Sequence, residues 1–261
     1  MAGRTRFFDL SVTTRPNESE PFVTNIRHES HADTAPMMAE YFGCTLDDLP
    51  DRLGWANEHV ELVGHAGTHI DAPWHYFPTC GGKPARTMDE CPLEWFYGDG
   101  VVLDFRHKER GALIDVNDLE AALDRIGYTL KPLDIVMLQT DTDKLWGRKE
   151  YFDAGSGLGR ESTLWLCDRG IKVIGTDAWT LDRPFWAMKQ AFRETGDPSL
   201  IWAAHRVGIE REYCQIEKLA NLDQLPRPHG FKVACFPIKL EGGSAGWTRV
   251  VAMVDEGLDG S

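Results

Sequence analysis

The chain has 261 residues, of which 42% are hydrophobic and 26% charged, as in an ordinary soluble globular protein. Its formal net charge of −13 argues against nucleic-acid binding, which needs a basic face to neutralise phosphates. No apolar run approaches the ~20 residues needed to cross a bilayer, and the six cysteines contain no CxxC pair. We therefore expect a cytoplasmic protein with reduced thiols and no membrane partner.

The first quarter of the chain has weak secondary-structure patterns. Alternation of apolar and polar side chains over residues 7–12 predicts a first strand. Residues 15–34 are polar and lack periodicity, so we expect a long loop there. A short helix is predicted over residues 36–42, with Asp33 or Thr34 as its N-cap and the following glycine as its end.

Residues 65–76, HAGTHIDAPWHY, place three histidines and one aspartate within twelve positions. We expect a strand over residues 60–64 that ends in this segment. A continued strand, at roughly 3.3 Å per residue, would hold His65 and His69 about 13 Å apart, too far to share one cation. The backbone must therefore curl, and the glycine and proline inside the segment favour a loop over a helix. Single loop histidines are usually solvated, but four such groups at these spacings predict a metal site.

Alternating strands and helices follow the motif. The predicted strands cover residues 98–105, 134–139 and 172–175, and the predicted helices cover residues 115–127 and 161–167. A strand, a helix and a strand at this spacing imply a right-handed crossover and a parallel pair. The chain closes with strand-like runs at 231–240 and 247–254, which predict an antiparallel hairpin. No linker or repeat interrupts the sequence, so we treat residues 1–261 as a single α/β domain.

The central motif resembles the signature of the metal-dependent cyclase and amidohydrolase family, which includes bacterial kynurenine formamidase, isatin hydrolase and a trans-dienelactone hydrolase. That signature is His, any residue, Gly, Thr, His, any, Asp, any, Pro, any, His, and this chain fills every fixed position. The resemblance implies that His65, His69 and Asp71 bind metal and that His75 donates and accepts protons. It also implies a mixed central sheet flanked by helices, of the swivelling β/β/α type, and a homodimer or higher oligomer.

Two later regions are similar to the same family. His205 and Glu217 stand twelve residues apart and resemble its remaining metal ligands, although a lone histidine is more often packed or solvated than liganded. Asp177 follows the strand at 172–175, where open α/β sheets place ligand sites. Two interpretations of it stay open: Asp177 orients a ligating histidine, or Asp177 and Asp182 cap the next helix.

Five ligating side chains are more than the three usual at one catalytic zinc. If Asp71 and Glu217 bridge, two ions about 3.5–4 Å apart can be held, so one or two ions are possible. Imidazole and carboxylate ligands without thiolate suit Zn²⁺ or Mn²⁺ and do not separate them. A bound cation lowers the pKa of water from 15.7 to roughly 7, and His75 could supply the proton to a leaving group. This predicts hydrolysis of an amide, cyclic amide or lactone carbonyl.

The small-molecule substrate is left open by the sequence. Trp74 and Phe77 lie inside the motif and suit an aromatic ligand, although aromatic residues are more often core than pocket. An acidic lactone, the substrate of the trans-dienelactone hydrolase relative, would instead need an arginine such as Arg183 or Arg206. A non-catalytic metal-binding or polyketide-handling protein is the alternative class. His75 separates the classes, because a closed structural site needs no proton carrier.

Overall fold

Nine strands form one central sheet in residues 4–256, the part of the chain that the computed structural model describes. The strands of this part are β1 (Arg4–Asp9), β2 (Thr24–Glu29), β3 (Asn57–Leu62), β4 (His69–Asp71), β5 (Thr79–Cys80), β6 (Lys83–Pro84), β7 (Tyr97–Asp104), β8 (Leu113–Ile114), β9 (Ile135–Gln139), β10 (Gly157–Leu158), β11 (Val173–Thr176), β12 (Cys214–Glu217), β13 (Phe231–Ala234), β14 (Ala245–Trp247) and β15 (Val251–Glu256). The α-helices are α1 (His31–Phe42), α2 (Pro73–Tyr76), α3 (Val116–Ile126), α4 (Arg160–Cys167) and α5 (Phe185–Thr195).

The central sheet is mixed, with the order β1-β15-β13-β7-β9-β11-β12-β4-β14. Its middle strands, β7, β9, β11 and β12, are parallel, and the outer pairs on both sides are antiparallel. The predicted α/β class and mixed sheet are confirmed. None of the helices described has both the length and the apolar character that a membrane span requires.

Side-chain alternation along the middle strands builds two apolar cores, one on each face of the sheet. On β9, Ile135 and Met137 belong to one core, whereas Val136 and Leu138 belong to the other. All five residues of β9 are buried, as a strand covered on both faces requires. The second core is completed by apolar residues of α3 and α4. The parallel centre of the sheet therefore lies between the two cores and is covered on both faces.

Helix α3 shows why the middle of the chain follows its sequence pattern. Asp115 accepts a hydrogen bond from the Asp118 amide at 2.9 Å, and Asp118 accepts one from the Asp115 amide at 2.9 Å. Gly127 ends the helix with φ of 63°. Leu119 and Leu123 pack into the core. The helix predicted over residues 115–127 is confirmed. It could be predicted because its cap residues and its apolar face all lie within this short segment of the sequence.

The N-terminal region differs from the prediction of a loop over residues 15–34. Strand β2 lies in this region and pairs antiparallel with β3, and α1 already begins at His31. Ser30, and neither Asp33 nor Thr34, is the N-cap. The side chains of β2 and β3 are exposed or only partly buried, so neither strand has a buried face. A buried face is what produces the alternation of apolar and polar residues by which strands are predicted. The strand expected at 60–64 begins three positions earlier and ends two positions earlier, at Leu62.

The C-terminal strands pair as predicted, but their connection is not a hairpin. Strand β13 pairs antiparallel with β15, while the residues between them cross to the far edge of the sheet and form β14 beside β4. Gly246 allows this crossing, because a Cβ there would stand 2.8 Å from the Ile238 carbonyl oxygen. The crossing brings β14 next to the histidine motif.

Candidate metal centre

The loop before β4 curls as the motif requires. Gly67 has φ of 61°, and a Cβ at this position would meet the Thr14 hydroxyl oxygen at 2.5 Å. As a result, the ring centroids of His65 and His69 lie only 5.1 Å apart. Strand β4 then runs between β12 and β14, and Pro73 occupies the first position of α2.

The sheet register places Glu217 directly opposite His69. His69 Nε2 lies 3.2 Å from Asp71 Oδ1 and 3.6 Å from Glu217 Oε2. His65 Nδ1 lies 2.8 Å from the same Asp71 oxygen. Two segments that are far apart in the chain, residues 65–71 and β12, therefore meet around the buried His69 and Asp71.

His205 completes the cluster from a 3₁₀ helix, His205–Ile209. Its Nε2 lies 3.7 Å from Asp71 Oδ2 and 3.8 Å from Glu217 Oε1. All five side chains that the sequence and its resemblance suggested as ligands thus converge, with Asp71 at the centre. His65 is the partly exposed member, and the other four are buried.

Each of the three histidines in this cluster turns its second ring nitrogen toward a hydrogen-bond acceptor. The pairs are His69 Nδ1 with the Gly67 carbonyl at 2.8 Å, His205 Nδ1 with Asp182 Oδ2 at 2.5 Å, and His65 Nε2 with Ser244 Oγ at 3.1 Å. When these nitrogens carry the proton, the other nitrogen of each ring presents a lone pair toward Asp71. Such outer hydrogen bonds orient histidines for metal binding.

The buried polar atoms at the centre fit a cation. His69 Nε2 and both carboxylate oxygens of Asp71 lack a hydrogen-bond partner within residues 4–256. Burial alone would raise the pKa of Asp71, but His75, His65 and His69 hold it well below its usual range. Burial and the nearby Asp71 raise the pKa of Glu217. Because adjacent buried carboxylates repel and cost free energy, a divalent ion with nitrogen and oxygen ligands would stabilise this arrangement.

His75 stands at the edge of the cluster on α2. Its ring centroid lies 4.1 Å from that of His65 and 5.6 Å from that of His205. Burial lowers the pKa of His75 to about 4, so its imidazole is neutral near pH 7 and has a free lone pair. Ligand atoms of His65, Asp71 and His75 lie within 4.8 Å of one another, as do those of His69, Asp71 and Glu217. The two groups share Asp71, which is compatible with one ion or two.

Asp177 does not contact a histidine, contrary to one of its two interpretations. Its carboxylate accepts hydrogen bonds from the amides of Thr140 at 2.9 Å and Asp141 at 2.8 Å, and so joins the ends of β9 and β11. Burial raises the pKa of Asp177 to about 7. Asp182 instead takes the role that was expected of Asp177, since it contacts His205 Nδ1 and accepts from the Ala204 amide at 2.7 Å. Neither aspartate caps α5, whose N-cap residue is Pro184.

A cavity of about 360 Å³ opens beside the cluster, and aromatic side chains form much of its wall. The aromatic residues are Phe22, Trp179, Phe185 and Trp202. Trp74 and Phe77 do not line it, and they are 46% and 44% exposed. The four residues above, and not Trp74 and Phe77, therefore line the cavity beside the cluster, and a contact of Trp74 or Phe77 with substrate stays a prediction. Trp179 and Trp202 lie close in sequence to Asp177 and His205, which is the signal that could have revealed them.

A buried ion pair, which the sequence did not indicate, contacts the loop that carries His65 and Gly67. Lys218 Nζ donates to both carboxylate oxygens of Glu20 at 3.0 Å and to the His65 carbonyl at 2.7 Å. Glu20 also accepts from the Gly67 amide at 2.7 Å. The ion pair therefore connects an N-terminal segment, the histidine loop and the residue after Glu217.

Asp182→Asn is expected to weaken metal affinity about 10- to 100-fold, because the outer carboxylate orients His205 and raises its basicity. The measurement is competitive titration with a metal-binding dye. Asp177→Asn is the matched control, since Asp177 is equally buried near the end of β11 but contacts no histidine. Equal affinities for the two variants would contradict the role of Asp182.

Comparisons with known proteins identify relatives of this chain. The model of a family described as Cyclase, putative cyclase, matches residues 8–183. Kynurenine formamidase of Erythrobacter litoralis is 28% identical over 194 residues, covering 74% of each chain. Kynurenine formamidase of Salinibacter ruber is 25% identical, covering 74% of this chain and 77% of the relative.

A solved structure shares the whole fold. Isatin hydrolase A from Labrenzia aggregata, bound to benzyl benzoate, superposes with a TM-score of 0.73 at 23% identity, covering 97% of this chain and 94% of that chain. The family model spans more than half of the chain and includes the complete histidine motif and Asp177. The chain therefore belongs to the cyclase family.

Proposed function

We propose that this chain is a metal-dependent hydrolase that cleaves the C–N bond of an aryl amide or opens a cyclic amide, with Zn²⁺ or Mn²⁺ at the candidate centre. The convergence of five ligating side chains beside His75, at the wall of an aromatic cavity, carries the proposal. Relatives named kynurenine formamidase and isatin hydrolase support this substrate class. A lactone is the less favoured alternative.

His65, His69, Asp71, His205 and Glu217 would hold the ion. When bound, a divalent ion supplies a Lewis acid that polarises a carbonyl and lowers the pKa of nearby water. His75 accepts a proton from the attacking water as the new C–O bond forms. The same imidazolium then gives the proton to the leaving nitrogen as the C–N bond breaks. The aromatic wall holds the aryl group and keeps bulk water from the reacting carbonyl.

Metal removal and reloading test the proposal directly. The protein is stripped with a chelator and reloaded with Zn²⁺ or Mn²⁺, while hydrolysis of N-formylkynurenine, isatin and a dienelactone is followed and bound metal is counted. We expect the amides to be hydrolysed and the stripped protein to be inactive. No hydrolysis of any amide or lactone by the fully metallated protein would instead favour a non-catalytic metal-binding protein.

His75→Asn is expected to lower kcat about 10²- to 10⁴-fold, the usual contribution of general acid–base catalysis, with metal content unchanged. The measurements are steady-state kinetics and elemental analysis of the same samples. His28→Asn is the control, since the side chain of His28 is 72% exposed on β2. Loss of metal together with activity would make His75 a ligand and contradict the proposed role.

The distribution of charge around the cavity separates amides from acidic lactones. Arg183 donates to the Gly111 carbonyl at 2.7 Å, and Arg206 donates to the Pro198 carbonyl at 2.6 Å. Neither arginine lines the cavity. Lys218 does line it, but its ammonium group is bound by Glu20. Among the described residues that line this cavity, a small acidic lactone therefore finds no available arginine or lysine, which favours a neutral aryl amide at the reacting end.

A further inference from the structure

A second, larger concavity lies on the surface beside the catalytic cavity. It has a volume of about 630 Å³ and is bounded by one face of α5 and by the segment before His205. Phe185, Met188 and Phe192 follow one another along α5 at helical spacing, so they share this face. Phe185 and Phe192 are each 38% exposed. We call this concavity the α5 groove.

The α5 groove and the catalytic cavity adjoin each other. Phe185 and Trp202 line both of them. Trp202 stacks on His205, with ring centroids 4.2 Å apart and an interplanar angle of 14°. Its φ is 58°, a conformation that a bulky residue adopts only when its surroundings hold it there. The boundary between the two spaces is therefore an aromatic ridge next to the candidate metal centre.

The charged residues that line the α5 groove, Lys189 and Arg206, are both cations. No carboxylate lies within ion-pair distance of either one in residues 4–256. Arg206 uses one N–H to reach the Pro198 carbonyl, and a guanidinium group has five N–H donors. A groove that combines an apolar floor with two available cations is complementary to an apolar chain that ends in an anion.

We propose that the α5 groove is a second substrate subsite of the same active centre, which rests on the proposed function. Its occupant is the arm of an amide whose aryl end lies in the catalytic cavity. The arm is apolar, crosses the ridge of Phe185 and Trp202, and ends in a carboxylate or similar anion at Lys189 and Arg206. The catalytic cavity, at about 360 Å³, is small for a binding site. Because the α5 groove adjoins it, the space available to a substrate extends beyond the ridge in that direction.

Formanilides with a para arm of two to eight methylene groups test the subsite. One series ends in a carboxylate and a matched series ends in a neutral carboxamide. Dissociation constants are measured by calorimetry on metal-free protein, and kcat/KM is measured on metal-loaded protein. We expect affinity to rise about two- to fourfold per methylene once the arm crosses the ridge, and the carboxylate to bind about fivefold more tightly than the carboxamide.

Variants test whether the dependence on arm length and the preference for a carboxylate arise in the α5 groove. Phe192→Ala should flatten the dependence on arm length. Lys189→Met and Arg206→Met together should bring the carboxylate-to-carboxamide affinity ratio close to one. Lys149→Met is the matched control, because Lys149 is an exposed lysine outside the groove, and it should leave this ratio unchanged.

Calorimetry on metal-free protein separates the subsite from catalysis. Length-dependent binding without hydrolysis would support the subsite and contradict the proposed function. Affinity that is independent of arm length, or a carboxylate preference that survives the double variant, would overturn the subsite. Sedimentation showing that a second copy of the chain covers the groove, with Phe192→Ala releasing it, would also overturn the subsite.

Discussion

Replacing Asp71 with asparagine will abolish tight metal binding and lower amide hydrolysis at least about 10⁴-fold. Asp71 is the member shared by both groups of candidate ligands, and its carboxylate lies within 3.7 Å of a nitrogen of His65, His69 and His205. Asparagine keeps the shape but removes the charge that balances a cation. Without the ion, the shift in the pKa of water from 15.7 to about 7 is lost. Elemental analysis and kcat/KM measure the two effects.

Asp134→Asn is the matched control for Asp71→Asn. Asp134 is also a buried aspartate, but it accepts hydrogen bonds from Tyr128 and the Lys131 amide, at the other end of β9. Its replacement should lower stability and leave metal content intact. A metallated and active Asp71→Asn protein would remove the basis of the proposed site, because no other described carboxylate contacts all three histidines.

Replacing Lys218 with methionine will lower the free energy of unfolding by about 3–5 kcal/mol, because it leaves the Glu20 carboxylate buried without its partner. The side chains of Lys218 and Glu20 are 1% and 2% exposed. In a protein of this size the expected fall in Tm is roughly 10 °C. Urea unfolding and thermal melting of metal-free protein measure the effect, so a change in metal affinity cannot contribute to it.

Two further variants test whether the loss of stability in Lys218→Met comes from the unpaired charge of Glu20. Glu20→Gln combined with Lys218→Met should recover part of the loss, since the uncompensated charge is gone. Lys144→Met removes a lysine that is 44% exposed and paired with Asp223, and it should cost less than about 1 kcal/mol. An equally small loss of unfolding free energy in Lys218→Met would show that the buried ion pair does not stabilise the loop that carries His65 and Gly67.

The middle of the fold could be predicted because its signals are local. Strands β9 and β11 are short, mostly apolar and fully buried, and β7 contains the apolar run 101–103. Helix α3 has an aspartate cap and a terminal glycine close to its apolar face. Strand β2 was not recognised in this way, and strand β3 was predicted to begin three positions too late. Their side chains are largely exposed, so pairing between the two backbones, and not burial, makes them strands. The predicted oligomer and the cytoplasmic location stay predictions.

The candidate ligands could be named from the sequence, but not the side chains that support them. His65, His69, Asp71 and His75 lie in one short segment whose spacing is itself the signal. Lys218 and Glu20 are 198 residues apart, and no local pattern connects them. Asp177 was the predicted partner for a histidine and Asp182 only a predicted helix cap, yet Asp182 is the residue that contacts His205. The direction of a side chain after a strand depends on the turn that follows, which the sequence pattern does not give.

By itself, the sequence determined which chemical groups are available: imidazoles and a carboxylate in a segment that glycine and proline prevent from being extended or helical throughout. Only the tertiary structure decided how they are used. It set Glu217 opposite His69 through the register of β12 and β4, and it turned Asp182 toward His205. The physical reason is that burial and strand pairing join residues 23 positions apart (Asp182 and His205) and 148 positions apart (His69 and Glu217), and those contacts exist only once the sheet has formed.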